Sequence, residues 1–281
     1  MSFDMTQIGR TIETAEFRVN SLRLAQFAAA IDDESPRHLE GEVATPLFAN
    51  VPPMQAMLEA LRCVTGDFAL HGQHDFHFYR PIVPGMRLFS RARVQGLQPS
   101  PSGVSIVIRL ETRDADKGLV NEQFFTAFVV GAKLEQAAGE AAPAHRLPDE
   151  VVATTPLARA IYALQPDQTR RYADAARDYS DYTLDLDAAR AKGFDAILVH
   201  GMLTMAFASR AVVAEACGAD STNLKRLAGR FSKPVFLLPG QAISTTLWQL
   251  GRRDGRRLVG YQAENAAGDI VIKHGLAEIT A

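Results

Sequence analysis

Two stretches of the 281-residue chain set proton-handling groups at short, regular spacings. Asp33, Ser35, Pro36 and His38 place a carboxylate and an imidazole five residues apart on one turn, where they can hold a single water and move a proton. Asp178 and Ser180 repeat the first part of that pattern in the second half. Five residues after Asp178, however, stands Thr183, whose hydroxyl cannot accept or carry a proton near neutral pH as an imidazole does. His200-Gly201 follows, at the start of a long apolar run. Simpler readings stand beside these: Asp178 as a turn-capping carboxylate, the commonest task of Asp in a turn, and His38 as a solvent-exposed turn histidine.

Other polar groups point to less. On a regular strand His71 and His77 face one side and His74 the other, so three metal ligands do not converge and no metal is expected. Arg226 and Arg230 share one face of a strand and Lys233 takes the other; either face offers cations to a phosphate, although basic residues on strands more often meet solvent or protect an edge. The chain has no Gly-rich phosphate loop, no Gly-x-Ser-x-Gly elbow and no dinucleotide fingerprint, which argues against nucleotide-dependent and serine-hydrolase chemistry.

The elements that must position these groups occur twice. Residues 17–31 read as a strand and then a helix, and apolar residues at helical period, Met54, Met57, Leu58 and Leu61, predict a helix that Pro52-Pro53 delays to about Pro53–Cys63. Alternating, β-rich runs follow to residue 134. Residues 135–150, rich in Ala, Gly and Pro without apolar period, read as a linker. From residue 151 the order repeats: a helix over Asp167–Ala176, a turn-rich stretch, an apolar helix near Met202–Cys217 and four more strands. Phe27 to Asp33 has the spacing of Tyr172 to Asp178, and Phe78-Tyr79-Arg80-Pro81 parallels Phe231-Ser232-Lys233-Pro234. The pattern predicts an α+β chain of two duplicated units, 1–134 and 151–281.

Composition narrows the partners. A formal charge of −2 with 47% hydrophobic residues gives no global pull toward nucleic acid or membrane. Two cysteines, Cys63 and Cys217, supply no disulfide framework, and no apolar run reaches bilayer-spanning length. A cytoplasmic setting is expected.

The second-half motif resembles the active-site segment of MaoC-type dehydratases and type 2 (R-specific) enoyl-CoA hydratases through Tyr172, Asp178, Gly193-Phe194 and His200-Gly201. Thr183 replaces that family's catalytic His. The first half is similar to their N-terminal half at His71-Gly72-Gln73, read as the start of a strand, at Arg80-Pro81 and at Asn121-Glu122-Gln123. The resemblance implies a double hotdog fold, two long apolar helices each wrapped by antiparallel sheet. It implies a lyase that adds or removes water at an acyl thioester carried by CoA or a carrier protein, without a cofactor, as a homodimer or with a related subunit.

By the same resemblance, Asp33, His38, Asp178 and the Gly201 N–H are candidate catalytic groups, the last for the thioester oxygen. Ser35, Ser180, Thr183, His200, Arg230 and Lys233 are candidate substrate contacts. The first half alone holds a carboxylate and an imidazole at the working spacing, which tips the expected chemistry toward Asp33 and His38. With the usual His missing from the usual half, a relative that binds acyl thioesters or a partner subunit without water chemistry is the alternative, and a hotdog thioesterase a third.

Overall fold

Asn20 starts the first helix by accepting the Arg23 N–H on its side chain at 2.9 Å, the local bond that lets a helix begin where four N–H groups lack partners. In the computed structural model, which describes residues 3–66, 68–116 and 118–280, this helix follows two short strands. The first half runs β1 (Thr11–Glu13), β2 (Phe17–Arg18), α1 (Ser21–Ala30), the single turn α2 (Pro36–Leu39) and α3 (Met54–Val64). A meander follows: β3 (Leu70–Phe78), β4 (Arg87–Ser100), β5 (Gly103–Asp114) and β6 (Gly118–Val130). A two-residue strand, β7 (Ala138–Gly139), and a helical turn, α4 (Asp149–Val152), lead to the second half. There β8 (Ala158–Ala163), α5 (Gln168–Ala176), α6 (Leu186–Ala191) and α7 (Gly201–Ala216) precede β9 (Leu224–Phe231), β10 (Ala242–Arg253), β11 (Arg256–Glu264) and β12 (Ile270–Thr280).

All the named strands form one antiparallel sheet whose main order is β1-β4-β5-β6-β3-β9-β12-β11-β10-β8. The two meanders join where β3 pairs with β9, with Asp75 opposite Ala228 near the middle of the seam. Each half wraps its own helix, as the duplicated pattern predicts. Helix α7 is buried almost all round, with Leu203, Ala206, Phe207, Ala211 and Val212 at 0% exposure; burying one side chain such as Phe207 contributes about 1.5–3 kcal/mol. The shorter α3 packs against β1, β4 and β5. Ahead of it, residues Pro46–Asn50 form a 3-10 turn, because Pro52 and Pro53 lack the N–H groups that would carry α-helical bonds back through that stretch. Helices α1 and α5 meet through Phe27 and Tyr172, the repeated aromatics, at 5.9 Å between ring centres.

Residues 135–150 lie against the sheet rather than hanging free. Strand β7 pairs with β4 across Gly96, where any Cβ would stand 2.6 Å from Ala138 O. Further on, Leu147 is buried, and the His145 ring is hydrogen-bonded to the carbonyl of His274.

Candidate functional site

Helix α5 ends at Arg177 in the left-handed region (φ 58°), and the Asp178 N–H turns back to Ala173 O at 3.2 Å. This puts Asp178 two residues past Ala176, the last residue of the helix. Its Oδ1 accepts the Ser180 hydroxyl at 2.7 Å and the Ser180 N–H at 3.3 Å, so the turn-capping role is present. The half-buried carboxylate also lines a cavity of about 630 Å³. Ser180, Thr183, His200 and Gly201 line the same cavity, together with His71 of β3 and Ser100 of β4. Both halves therefore contribute walls.

Thr183 is buried in a 3-10 turn. Its hydroxyl donates to Ser180 O at 2.6 Å and lies 2.8 Å from His200 Nε2, which is also 3.1 Å from Asp178 O. With the threonine proton spent on Ser180 O, Nε2–H must be the donor to the other two. Burial lowers the His200 pKa from its ordinary value, while the charge on Asp178 opposes that. His200 is thus a neutral ring tying the Asp178 loop to the start of α7. The motif tyrosine, Tyr172, packs against it at 5.0 Å between ring centres. Gly201 is the first residue of the 16-residue α7, where an N–H has no acceptor within the helix and the helix dipole favours negative charge.

The first-half pair forms a separate arrangement. His38 Nδ1 donates to Asp33 Oδ2 at 3.0 Å, and the other carboxylate oxygen takes the Ser35 N–H at 2.8 Å. The spacing argument therefore brings Asp33 and His38 together. His38 is only 3% exposed, so the solvent-exposed turn histidine is corrected to a buried one, and its Nε2 faces Ser221 Oγ of the second half at 2.8 Å. A serine hydroxyl stands where a shared water was expected. Asp33 and Ser35 line a smaller cavity of about 250 Å³ with Tyr162, Ser209 and Arg210, away from Asp178 and Gly201. Near α3 the Val51 N–H goes to Phe48 O at 2.9 Å and Pro52 and Pro53 have none.

Strand alternation misplaced the histidines. A bulge between His71 and Gln73 inserts Gly72 as an extra residue, which rotates His71 onto the face of His74. His71 Nε2 lies 3.1 Å from His74 Nδ1, whereas His77 Nε2 turns to Asp75 at 3.3 Å. Glycine inside a β-rich run was the signal for the bulge.

The cations also divide differently from a simple strand face. Arg226 is buried, bonded by two nitrogens to Asp75 at 2.7 and 3.0 Å and by a third to Glu278 at 3.3 Å, and so offers nothing to a ligand phosphate. Burial opposes ionisation of Asp75, but the nearby His77 ring and the bonds from Arg226 outweigh it and hold the carboxyl below its ordinary value. Arg230, exposed at the rim, lines the large cavity with Lys233 and Lys273. Lys233 is also paired with Asp269.

A joined pair of helix-and-meander units around such a cavity defines a double hotdog protein. Residues 148–269 match the MaoC like domain, and residues 6–118 match the FAS1-like, dehydratase domain region. A MaoC-like dehydratase from Phytophthora capsici superposes with a TM-score of 0.82 over 98% of this chain and 97% of that one, at 24% identity. Over 221 residues the chain is 28% identical to the peroxisomal enoyl-CoA hydratase 2 of Arabidopsis thaliana, covering 74% of this chain and 70% of that protein. It is equally similar, over 75% of its length, to the peroxisomal multifunctional enzyme type 2 of Mus musculus, but spans only 28% of that longer protein. Residues 148–269 thus match a MaoC like domain, and the chain as a whole is similar to MaoC-like dehydratases and type 2 enoyl-CoA hydratases.

Proposed function

We propose that this chain adds water to, or removes it from, the Cα–Cβ bond of an acyl thioester, as a hydro-lyase of the R-specific enoyl-CoA hydratase or 3-hydroxyacyl-thioester dehydratase type. The observation that carries the reading is the large cavity, which has Asp178 with Ser180 at one side and the Gly201 N–H at the head of α7. Asp178 and Ser180 hold the water, and Gly201 holds the thioester oxygen as negative charge develops on it. Arg230 and Lys273 stand at the same cavity for a phosphorylated carrier such as CoA. Of the two candidate aspartates we assign the chemistry to Asp178, since Asp33 has both oxygens engaged, by Ser35 and His38, and lines the smaller cavity.

Thr183, in place of the usual loop histidine, favours a second reading, in which the cavity binds acyl thioesters without turning them over. The purified protein incubated with trans-2-butenoyl-CoA and trans-2-decenoyl-CoA separates the two through loss of the enoyl absorbance. A measurable rate that falls at least about a hundredfold in Asp178→Asn supports the lyase. Thioester binding by calorimetry with no rate supports the binder. Assembly as a homodimer or with a related subunit belongs to the same proposal; light scattering at 30.6 kDa over a wide concentration range would refute it.

A further inference from the structure

The lyase reading leaves one chemical role unfilled. Water addition needs a group that takes a proton and gives it back, and the loop that should supply an imidazole supplies Thr183 instead. Besides His200, whose Nε2–H is held by Thr183 and Asp178 O, the cavity contains an imidazole from the other half of the chain.

Its protonation is fixed by a line of hydrogen bonds. Buried Gln123 donates from its amide nitrogen to Ala49 O at 2.7 Å and to Asn121 Oδ1 at 2.8 Å, which settles which end of the amide is oxygen. That oxygen lies 3.0 Å from His74 Nε2, so His74 carries its proton there. Burial lowers the His74 pKa to about 4, and the neutral ring presents Nδ1 as an acceptor. His71 Nε2, 3.1 Å away, must be the donor to it. Among the described residues the last nitrogen of the line, His71 Nδ1, has no side-chain partner, and the Gln73 backbone beside the ring favours its protonated form. Burial, and then the neighbouring His74, outweigh that and hold His71 well below the ordinary imidazole value, so the ring is uncharged at neutral pH.

The ring is also placed. Phe125 packs edge-on at 4.8 Å and Phe231 at 4.6 Å between ring centres. A Cβ built on Gly201 would lie 3.6 Å from His71 Nδ1, so this nitrogen stands beside the residue whose N–H receives the thioester oxygen. The carbon next to that carbonyl is Cα.

We propose that His71 is the proton carrier of this site, a catalytic base lent by the first half to the Asp178–Gly201 cavity, with His74 and Gln123 as positioning residues; this rests on the lyase reading above. In hydration, one proton of the water held by Asp178 and Ser180 passes to His71 Nδ1 as the water oxygen bonds to Cβ. The double-bond pair moves onto Cα and the thioester oxygen, held by the Gly201 N–H. The same proton then returns from Nδ1 to Cα, so hydrogen and hydroxyl both come from one water and nothing else is consumed. Asp178 stays ionised throughout. Imidazolium is disfavoured in the resting cavity, but the enolate charge beside it offsets that during the reaction.

His71→Gln tests this directly, because the glutamine amide still donates toward His74 but offers no base. Wild type, His71→Gln and Asp178→Asn are compared on the same two enoyl-CoA substrates, with kcat and KM measured separately and the fold checked by circular dichroism. His71→Gln is expected to lose at least about a hundredfold in kcat with KM within threefold. A smaller loss in kcat, or a loss confined to KM, overturns the role of His71; if Asp178→Asn is inactive in the same series, the lyase reading survives that result. A wild-type protein that hydrates neither substrate brings down the reading and this inference together. Should His71→Gln fail to fold, His71→Asn serves with the same thresholds.

Discussion

Thr183 Oγ1 lies 2.8 Å from His200 Nε2, and through that contact Thr183 is part of the frame holding Asp178. Thr183→Val keeps the shape and removes the hydroxyl, leaving the Nε2–H with Asp178 O alone. The expected cost is about 1 kcal/mol, seen as a fall in Tm of roughly 2–4 °C for a chain of this size. An unchanged Tm would show that the hydroxyl contributes nothing to the loop.

Gly201 is helical, with no positive φ to strain a substituted residue. In Gly201→Val the added Cβ meets the His71 side chain at 3.3 Å and its branches enter the cavity. Activity is expected to vanish while far-UV circular dichroism stays native. Wild-type turnover in this variant would move the thioester carbonyl away from the head of α7.

His38 and Ser221 carry the opposite expectation. His38→Ala removes a buried ring bonded at both nitrogens across the two halves. Stability should fall by roughly 2–4 kcal/mol, from the lost packing and the orphaned Asp33 and Ser221, with kcat of the folded protein within about threefold of wild type. Urea titration and steady-state kinetics on the same preparation decide. A hundredfold loss of kcat at unchanged stability would return the chemistry to the first half.

The pH dependence follows from His74. Its folded pKa of about 4 lies below the ordinary 6.5, so the unfolded chain binds more protons between those values and stability rises with pH. The contribution is complete above about pH 6.5 and is lost as pH falls toward 4. Between pH 6.5 and 5 it amounts to about 2 kcal/mol. Urea midpoints at pH 7 and pH 5 should differ at least accordingly, and His74→Gln should reduce the difference, the other buried histidines keeping the remainder. A midpoint with the same pH dependence in both proteins would contradict this.

What the sequence disclosed and what it hid have a common physical basis. Helix α3 starts at Met54, one residue from the expectation that Pro52-Pro53 dictated, and α7 begins and ends within one residue of the apolar run; local rules govern these. The Asp33–His38 contact is local too, five residues on one turn. Ser221 reaches His38 across 183 residues, and no periodicity encodes such a meeting. His71 was readable only in part: Gly72 warned of a bulge, but the neighbourhood of Gly201 depends on how β3 of one half lies against α7 of the other. Arg226 looked like a surface cation because its strand position says nothing of what lies over it.

What lies over it is the segment between the halves. Arg226 Nη2 reaches Ala144 O at 3.5 Å, and Leu147 presses on Gly260 nearby. The stretch that composition marks as a tether is therefore a lid on a charge pair, with Asp75 at 0% exposure beneath it. This changes where the chain can be cut. A split-protein or circularly permuted version opened at residues 140–147 would uncover Asp75 and Arg226 at the very seam on which the two meanders depend. New termini belong instead at the turn Asp254-Gly255 between β10 and β11, which is exposed.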